Sequence, residues 1–182
     1  MNRRHMLTTT VALAALPAML ASVARAQGTA MAPEKKHAED TKKVGSLSLA
    51  TSRVAKEKAT DPMVKAFAGW EVAEQETIAD ILKSMESEGK AEGALKPPSS
   101  SEVEAMLDAE GKATLDKLKA ASGAEFDHAY VTAQLDGHRK LLAIQEEYLK
   151  VGQNREHLSV TKLARGQIKE HIDHLQMMTD AK

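Results

Sequence analysis

Three stretches of this chain carry acidic, amide or imidazole side chains at helical spacing. They hold Glu71, Glu74 and Gln75; Asp127, Gln134 and His138; and Gln167, His171 and His174. Glu71-x-x-Glu74 and His171-x-x-His174 keep the i, i+3 spacing that sets two side chains on one helix face. Imidazole and carboxylate together suit iron, manganese or zinc, so one chemistry open to Glu71, His138, His171 and His174 is metal ligation. The other is a buried hydrogen-bonded network of neutral histidines, drawing in Gln75, Asp127, Tyr130, Gln134 and Gln167. Neither Glu71-x-x-Glu74 nor His171-x-x-His174 is the Glu-x-x-His pair of the ferritin-like di-iron sites.

Four long helices must position these groups. Apolar residues Val44, Leu47, Val54 and Ala55 recur at helical spacing over about 39–59. Asp61-Pro62 then supplies an N-cap and a proline suited to the first helical turn. The second helix runs to about Ser87, ended by Gly89; its stripe of Val64, Phe67, Ala68, Ile78, Leu82 and Met85 has Glu71 at its centre. The third spans about 125–150, with His138 centred among Val131, Leu135, Leu142 and Leu149. The fourth spans about 155–179, with His171 centred among Val160, Ala164, Ile168, Leu175 and Met178. Between the second and third, Gly93, Pro97 and Pro98 mark a loop. The capping-box pattern Ser101-x-x-Glu104 then opens a helical stretch that reaches Ala121 and is broken at Gly111.

Two tight hairpins and a crossover of short helices between the second and third long helices predict an all-α, ferritin-like four-helix bundle. At about 1.5 Å per residue, Glu71, His138 and His171 fall within one or two turns of a common depth. Polar groups at the centre of apolar seams cost a few kcal/mol each when buried alone, so they are expected to meet. The remaining histidines, His37, His128 and His157, are expected near helix ends or facing solvent. Lys35-Lys36 and Lys42-Lys43 read as a solvated face, and Met177-Met178 as one core and one surface residue.

Composition removes several classes. The 182 residues include no cysteine, which excludes disulfide scaffolds, thiol nucleophiles and cysteine-ligated metals. Lys+Arg is 25 against Asp+Glu 26, without the basic excess of a nucleic-acid binder. Aromatic residues make up 3%, a composition that leans to helix. No nucleophile–base pairing or glycine-rich phosphate loop is visible, so the chain reads as non-enzymatic. Residues 1–26 read as an export signal: Arg3-Arg4 opens it in twin-arginine style, Val11 to Leu20 is weakly apolar, and Ala24-Arg25-Ala26 offers the small-x-small cleavage pattern. The apolar run is about half of the roughly 20 residues needed to span a bilayer. Residues 27–38 read as a flexible leader and 39–182 as the bundle domain. Without residues 1–26, which hold three arginines and no acid, 22 basic and 26 acidic residues remain. The expected setting is the periplasm, reached through the twin-arginine export machinery, with outer-membrane association and an envelope partner both open.

The run Gly123-Ala-Glu-Phe126-Asp127-His-Ala-Tyr130-Val131-Thr-Ala-Gln134-Leu-Asp-Gly-His138, followed by Leu163-Ala164 and His171, resembles the bacterial family called domain of unknown function 4142. Val64-Lys65-Ala66-Phe67-Ala68 is similar to that family's second helix, and the likeness covers about 44–178. The resemblance implies an exported, ferritin-like helical bundle of the kind labelled as a membrane or outer-membrane protein. Family members commonly carry Asp-His where this chain has Glu74-Gln75, and a glutamate where it has Ser48. The resemblance therefore implies two fewer ligands here than its relatives offer.

Overall fold

A computed structural model describes residues 18–87 and 92–180, with side chains from Pro33 onward. Arg3, Arg4 and Gly89 lie outside the described residues, and at Ala24 and Ala26 only helical backbone is described. Every described element is helical: α1 (Ala18–Lys58), α2 (Pro62–Met85), α3 (Ser100–Ala105), α4 (Ala109–Ala120), α5 (Gly123–Val151) and α6 (Arg155–Asp180). The four long helices pack on one another, α1 against α2 and α5, and α6 against α5 and α2. Among the described residues no helix is long and apolar enough to cross a membrane.

Local chemistry sets the helix boundaries. Asp61 caps α2, accepting from Met63 N at 2.8 Å and Val64 N at 3.4 Å, with Pro62 in the first turn. Buried Asp127, one turn into α5, accepts from Thr60 N (3.1 Å), Thr60 Oγ1 (2.6 Å) and Asp61 N (2.9 Å). It therefore ties the start of α5 to the α1–α2 turn. Since α2 also starts at that turn, α2 and α5 run the same way, and α3 and α4 carry the chain back along α1. Asp127 thus belongs to this turn and not to the histidine cluster. Three hydrogen bonds to one desolvated carboxylate give a direct prediction: Asp127→Ala costs about 1–3 kcal/mol. Thermal unfolding should show this as a loss of several degrees relative to the parent chain.

The crossover departs from the sequence reading in two places. The capping box is Ser99 with Glu102, not Ser101 with Glu104; Ser99 N donates to Glu102 Oε2 at 2.8 Å. Both pairs fit the pattern, and the burial of Val103 against Leu49 and Val72 selects the first. The break falls at 106–108 and not at Gly111, because Asp108 caps α4 through Gly111 N at 2.9 Å. Gly123 then takes φ +57, a left-handed conformation that suits glycine, as the chain turns into α5.

The first helix begins well before Glu39. Glu34, His37, Ala38 and Thr41 already pack within it, so 34–38 is not a flexible leader. On α5 the buried stripe holds Val131, Leu135 and His138 as expected and continues through Leu141, Gln145 and Tyr148, with Leu142 and Leu149 at its margin. The largest apolar cluster joins Ala55 of α1, Ala59 of the α1–α2 turn, Val64 and Phe67 of α2, Phe126, Tyr130 and Val131 of α5, and Leu175 and Met178 of α6. It lies at the α1–α2 turn end and forms the dry floor beneath the polar cluster. Met178 is buried and Met177 exposed.

Candidate metal centre

Above that floor three helices bring Glu71, His138 and His171 together at 0%, 1% and 6% exposure. Glu71 Oε2 lies 3.2 Å from His138 Nε2 and 2.9 Å from His171 Nδ1, and the two ring nitrogens are 3.1 Å apart. Among the described residues these are the histidine and acidic side chains whose potential ligand atoms converge this way. The remaining nitrogen of each ring faces an acceptor outside the triangle. His138 Nδ1 donates to the Gln134 carbonyl at 2.8 Å, and His171 Nε2 sits 3.3 Å from Glu74 Oε2. With the ring protons on those outer partners, a bound cation would meet both inner lone pairs beside the carboxylate; without one, the inner nitrogen of a protonated His171 donates to Glu71. The Phe67 ring packs 4.9 Å from His171 and 6.0 Å from His138, sealing the cluster on the apolar side.

α1 completes the cluster with Ser48, singled out by the family resemblance, and with Thr51 and Ser52, which sequence reading passed over. Ser48 Oγ contacts Glu71 Oε1 and also Gln134 Oε1, the latter at 2.6 Å, with one proton to give. Gln134 Nε2 faces Thr51 Oγ1 at 2.8 Å and Ser52 Oγ at 3.1 Å, and Ser52 reaches the Tyr130 hydroxyl at 2.8 Å. The network thus contains Glu71, Tyr130, Gln134, His138 and His171. Gln75 is half-buried and sits one turn away against Gly45. Gln167 and His174 are exposed; the His174 ring lies 6.3 Å from exposed Trp70, outside the ligand triangle. A residue three positions beyond His171 is rotated by about 60° on the helix, enough to carry it to the rim.

The electrostatics match the geometry. Burial pushes the Glu71 carboxyl upward, but His138, His171 and Ser48 outweigh it and hold the group far below the ordinary carboxylate range. Burial pushes His171 down, yet the facing Glu71 and Glu74 carboxylates lift it to about 9. With no other cation present, His171 therefore carries the proton that balances Glu71.

A second polar cluster occupies the opposite end of the long helices, where His37 and His157 are both buried and not solvent-facing. His37 Nε2 donates to Gln145 Oε1 at 2.8 Å, so its Nδ1 accepts from His157 Nε2 at 2.7 Å. Gln145 Nε2 passes the chain to Thr41 Oγ1 at 3.2 Å. Tyr148 packs at a tilt against both imidazoles and donates to Glu34 Oε1, which also accepts from Gln153 N and Asn154 N of the α5–α6 connection. Gly152 lets this ring close on the turn, since a Cβ there would stand 2.4 Å from Tyr148 Cζ.

Burial lowers His37 to about 4, with the His157 charge adding to it and Gln145 and nearby acids opposing. The unfolded chain thus binds a proton below about pH 6.5 that the folded chain refuses until about 4. This contribution is fully present above 6.5 and is lost as pH falls through that window. The melting temperature is expected to drop between pH 7 and 5, and His37→Phe to flatten the drop; an equally steep profile in the variant would assign the sensitivity elsewhere.

No curated protein and no solved structure matches this chain. A family model does match, over residues 19–178, and its span takes in all the long helices and both polar clusters. The chain belongs to the family described as Domain of unknown function (DUF4142).

Proposed function

We propose that Glu71, His138 and His171 bind one divalent transition-metal ion within a ferritin-like four-helix bundle that works, without catalysing a reaction, in the bacterial envelope. The observation that carries this reading is the donor triangle with edges of 2.9, 3.1 and 3.2 Å. Tetrahedral zinc holds nitrogen and oxygen donors at about 2.0–2.1 Å, which sets neighbouring donors roughly 3.3 Å apart. A relaxation of a few tenths of an ångström converts the triangle into three corners of such a site. The outer partners fit as well: ligating histidines usually donate their second ring N–H to a carbonyl or carboxylate, the roles open to Gln134 and Glu74.

Three donors hold one ion and leave a coordination position open. The paired Glu-x-x-His ligands of a two-iron centre are missing from the cluster, so the site is mononuclear. Burial behind Phe67 leaves little room for a bulky substrate and favours holding or handling the ion over turnover. The ferritin-like assignment is supported by the parallel run of α2 and α5 and the crossover between them. The envelope setting is supported by Arg3-Arg4 and Ala24-Arg25-Ala26. Fractionation of cells expressing the full chain, with and without an Arg3→Lys, Arg4→Lys change, tests it; protein left in the cytoplasm by the parent chain would count against export.

A second reading has its own support. With His171 protonated, its charge balances Glu71 and its two ring N–H groups face Glu71 and Glu74, so the cluster is a self-sufficient register device. Cobalt(II) titration of chelator-stripped protein separates the two. One equivalent, with the intense visible bands of a low-symmetry tetrahedral ion, supports the metal site. An absence of stoichiometric uptake of cobalt, zinc, manganese and iron overturns it in favour of the network.

A further inference from the structure

Next to the Ser48–Glu71 contact, the α1–α2 interface opens into a cavity of about 420 Å³, roofed by α3. Leu49, Ile78, Leu82 and Val103 supply its apolar wall. The charged groups at the mouth are matched in pairs: Lys42 with Glu86, and Lys83 with Glu102 at 3.9 Å. The mouth therefore presents no net charge to a visitor. Cavities of roughly 300–1,000 Å³ with apolar walls and a few inward polar groups are the usual form of small-molecule sites.

One polar group is turned to this space in a way the helix itself maintains. Gln75 lies along α1 where Gly45 leaves room; a Cβ at that position would stand 2.6 Å from Gln75 Oε1. Glycine inside a helix costs roughly 0.5–1 kcal/mol relative to alanine, so a close approach of this kind is its natural justification. Gln75 lines the cavity with its Oε1 resting against α1 at Gly45, and none of the hydrogen bonds among the described residues engages its amide.

We propose that the cavity between α1, α2 and α3 binds a small, uncharged, largely apolar molecule bearing one hydrogen-bonding group that pairs with Gln75. The balanced mouth selects against ions, the wall accepts an aliphatic or aromatic body, and the amide fixes one end. This assignment is independent of the metal reading, because none of the three ligand residues lines the cavity.

The test uses N-phenylnaphthylamine, an uncharged aromatic fluorophore with a single N–H, titrated into the full chain. Saturable one-to-one enhancement is expected. Ala79→Trp, which fills the cavity from α2, should weaken it at least tenfold, and Gln75→Leu several-fold while circular dichroism is unchanged. Anilinonaphthalene sulfonate, the charged analogue, should bind at least tenfold more weakly than the neutral probe. Non-saturable uptake, or an affinity that survives both substitutions, would overturn the site. Equal binding of the charged and neutral probes would overturn the ligand class. If Ala79→Trp does not fold, the Gln75→Leu and charged-probe arms decide alone.

Discussion

In His171→Ala, zinc or cobalt affinity is expected to fall at least a hundredfold, while His174→Ala leaves it within twofold. Loss of an outer hydrogen-bond partner alone costs about 10–100-fold in well-studied sites, and in the proposed site His171 would supply a donor atom as well as the link to Glu74. His174 shares the i, i+3 spacing but is exposed beside Trp70. The contrast is thus specific to the triangle and not to the histidine content of α6. Glu74→Gln should fall between them, since it keeps an acceptor for His171 Nε2 but removes the charge. Competition titrations with a chromophoric chelator read all three. Equal losses in the His171 and His174 variants would place the ion on the surface of α6.

Removing Glu71 is expected to be the most destabilising single change in the cluster. Without metal, Glu71→Ala leaves a buried imidazolium and the Ser48 hydroxyl facing a void, and breaking a buried pair in this way costs about 3–5 kcal/mol. For a chain of this size that is on the order of 10 °C in melting temperature. Replacing Glu71, His138 and His171 together by leucine behaves differently. Apolar substitution of a whole buried ionic cluster is often neutral or stabilising. The triple variant should therefore keep its helicity and melting temperature within a few degrees while losing metal uptake. A triple variant as unstable as Glu71→Ala would make the cluster a folding element first.

Much of the candidate site was legible because α2, α5 and α6 bury conventional apolar stripes. Against Val64, Phe67 and Leu82, or against Ile168 and Leu175, an acid or imidazole on the same face stands out. α1 hid much of its contribution because its buried face mixes small polar residues with Leu49, Ala50 and Ala55. His37, Thr41, Ser48, Thr51 and Ser52 recur at the spacing of a helix face, yet a search for apolar residues sees only Val44, Leu47, Val54 and Ala55. For the same reason His37 and His157 read as surface groups, and the start of the packed helix as a leader. The one available signal was polar periodicity: residues 34, 37, 41, 48 and 52 trace one helical stripe.

By itself the sequence determined the helical class, the lengths of α2, α5 and α6, the cap at Asp61 and the depth at which Glu71, His138 and His171 stand. Each follows from local terms, namely periodicity, capping and rise per residue, that need no partner. Tertiary structure alone decided which polar groups face one another. Burial makes an unpaired polar atom costly, so Ser48 is drawn to Glu71 and Gln134 to Ser48, Asp127 to the α1–α2 turn, and His37 to His157 and Gln145. These pairings depend on how the helices are rotated against one another, a property of the packed helices together and of no single stretch of chain.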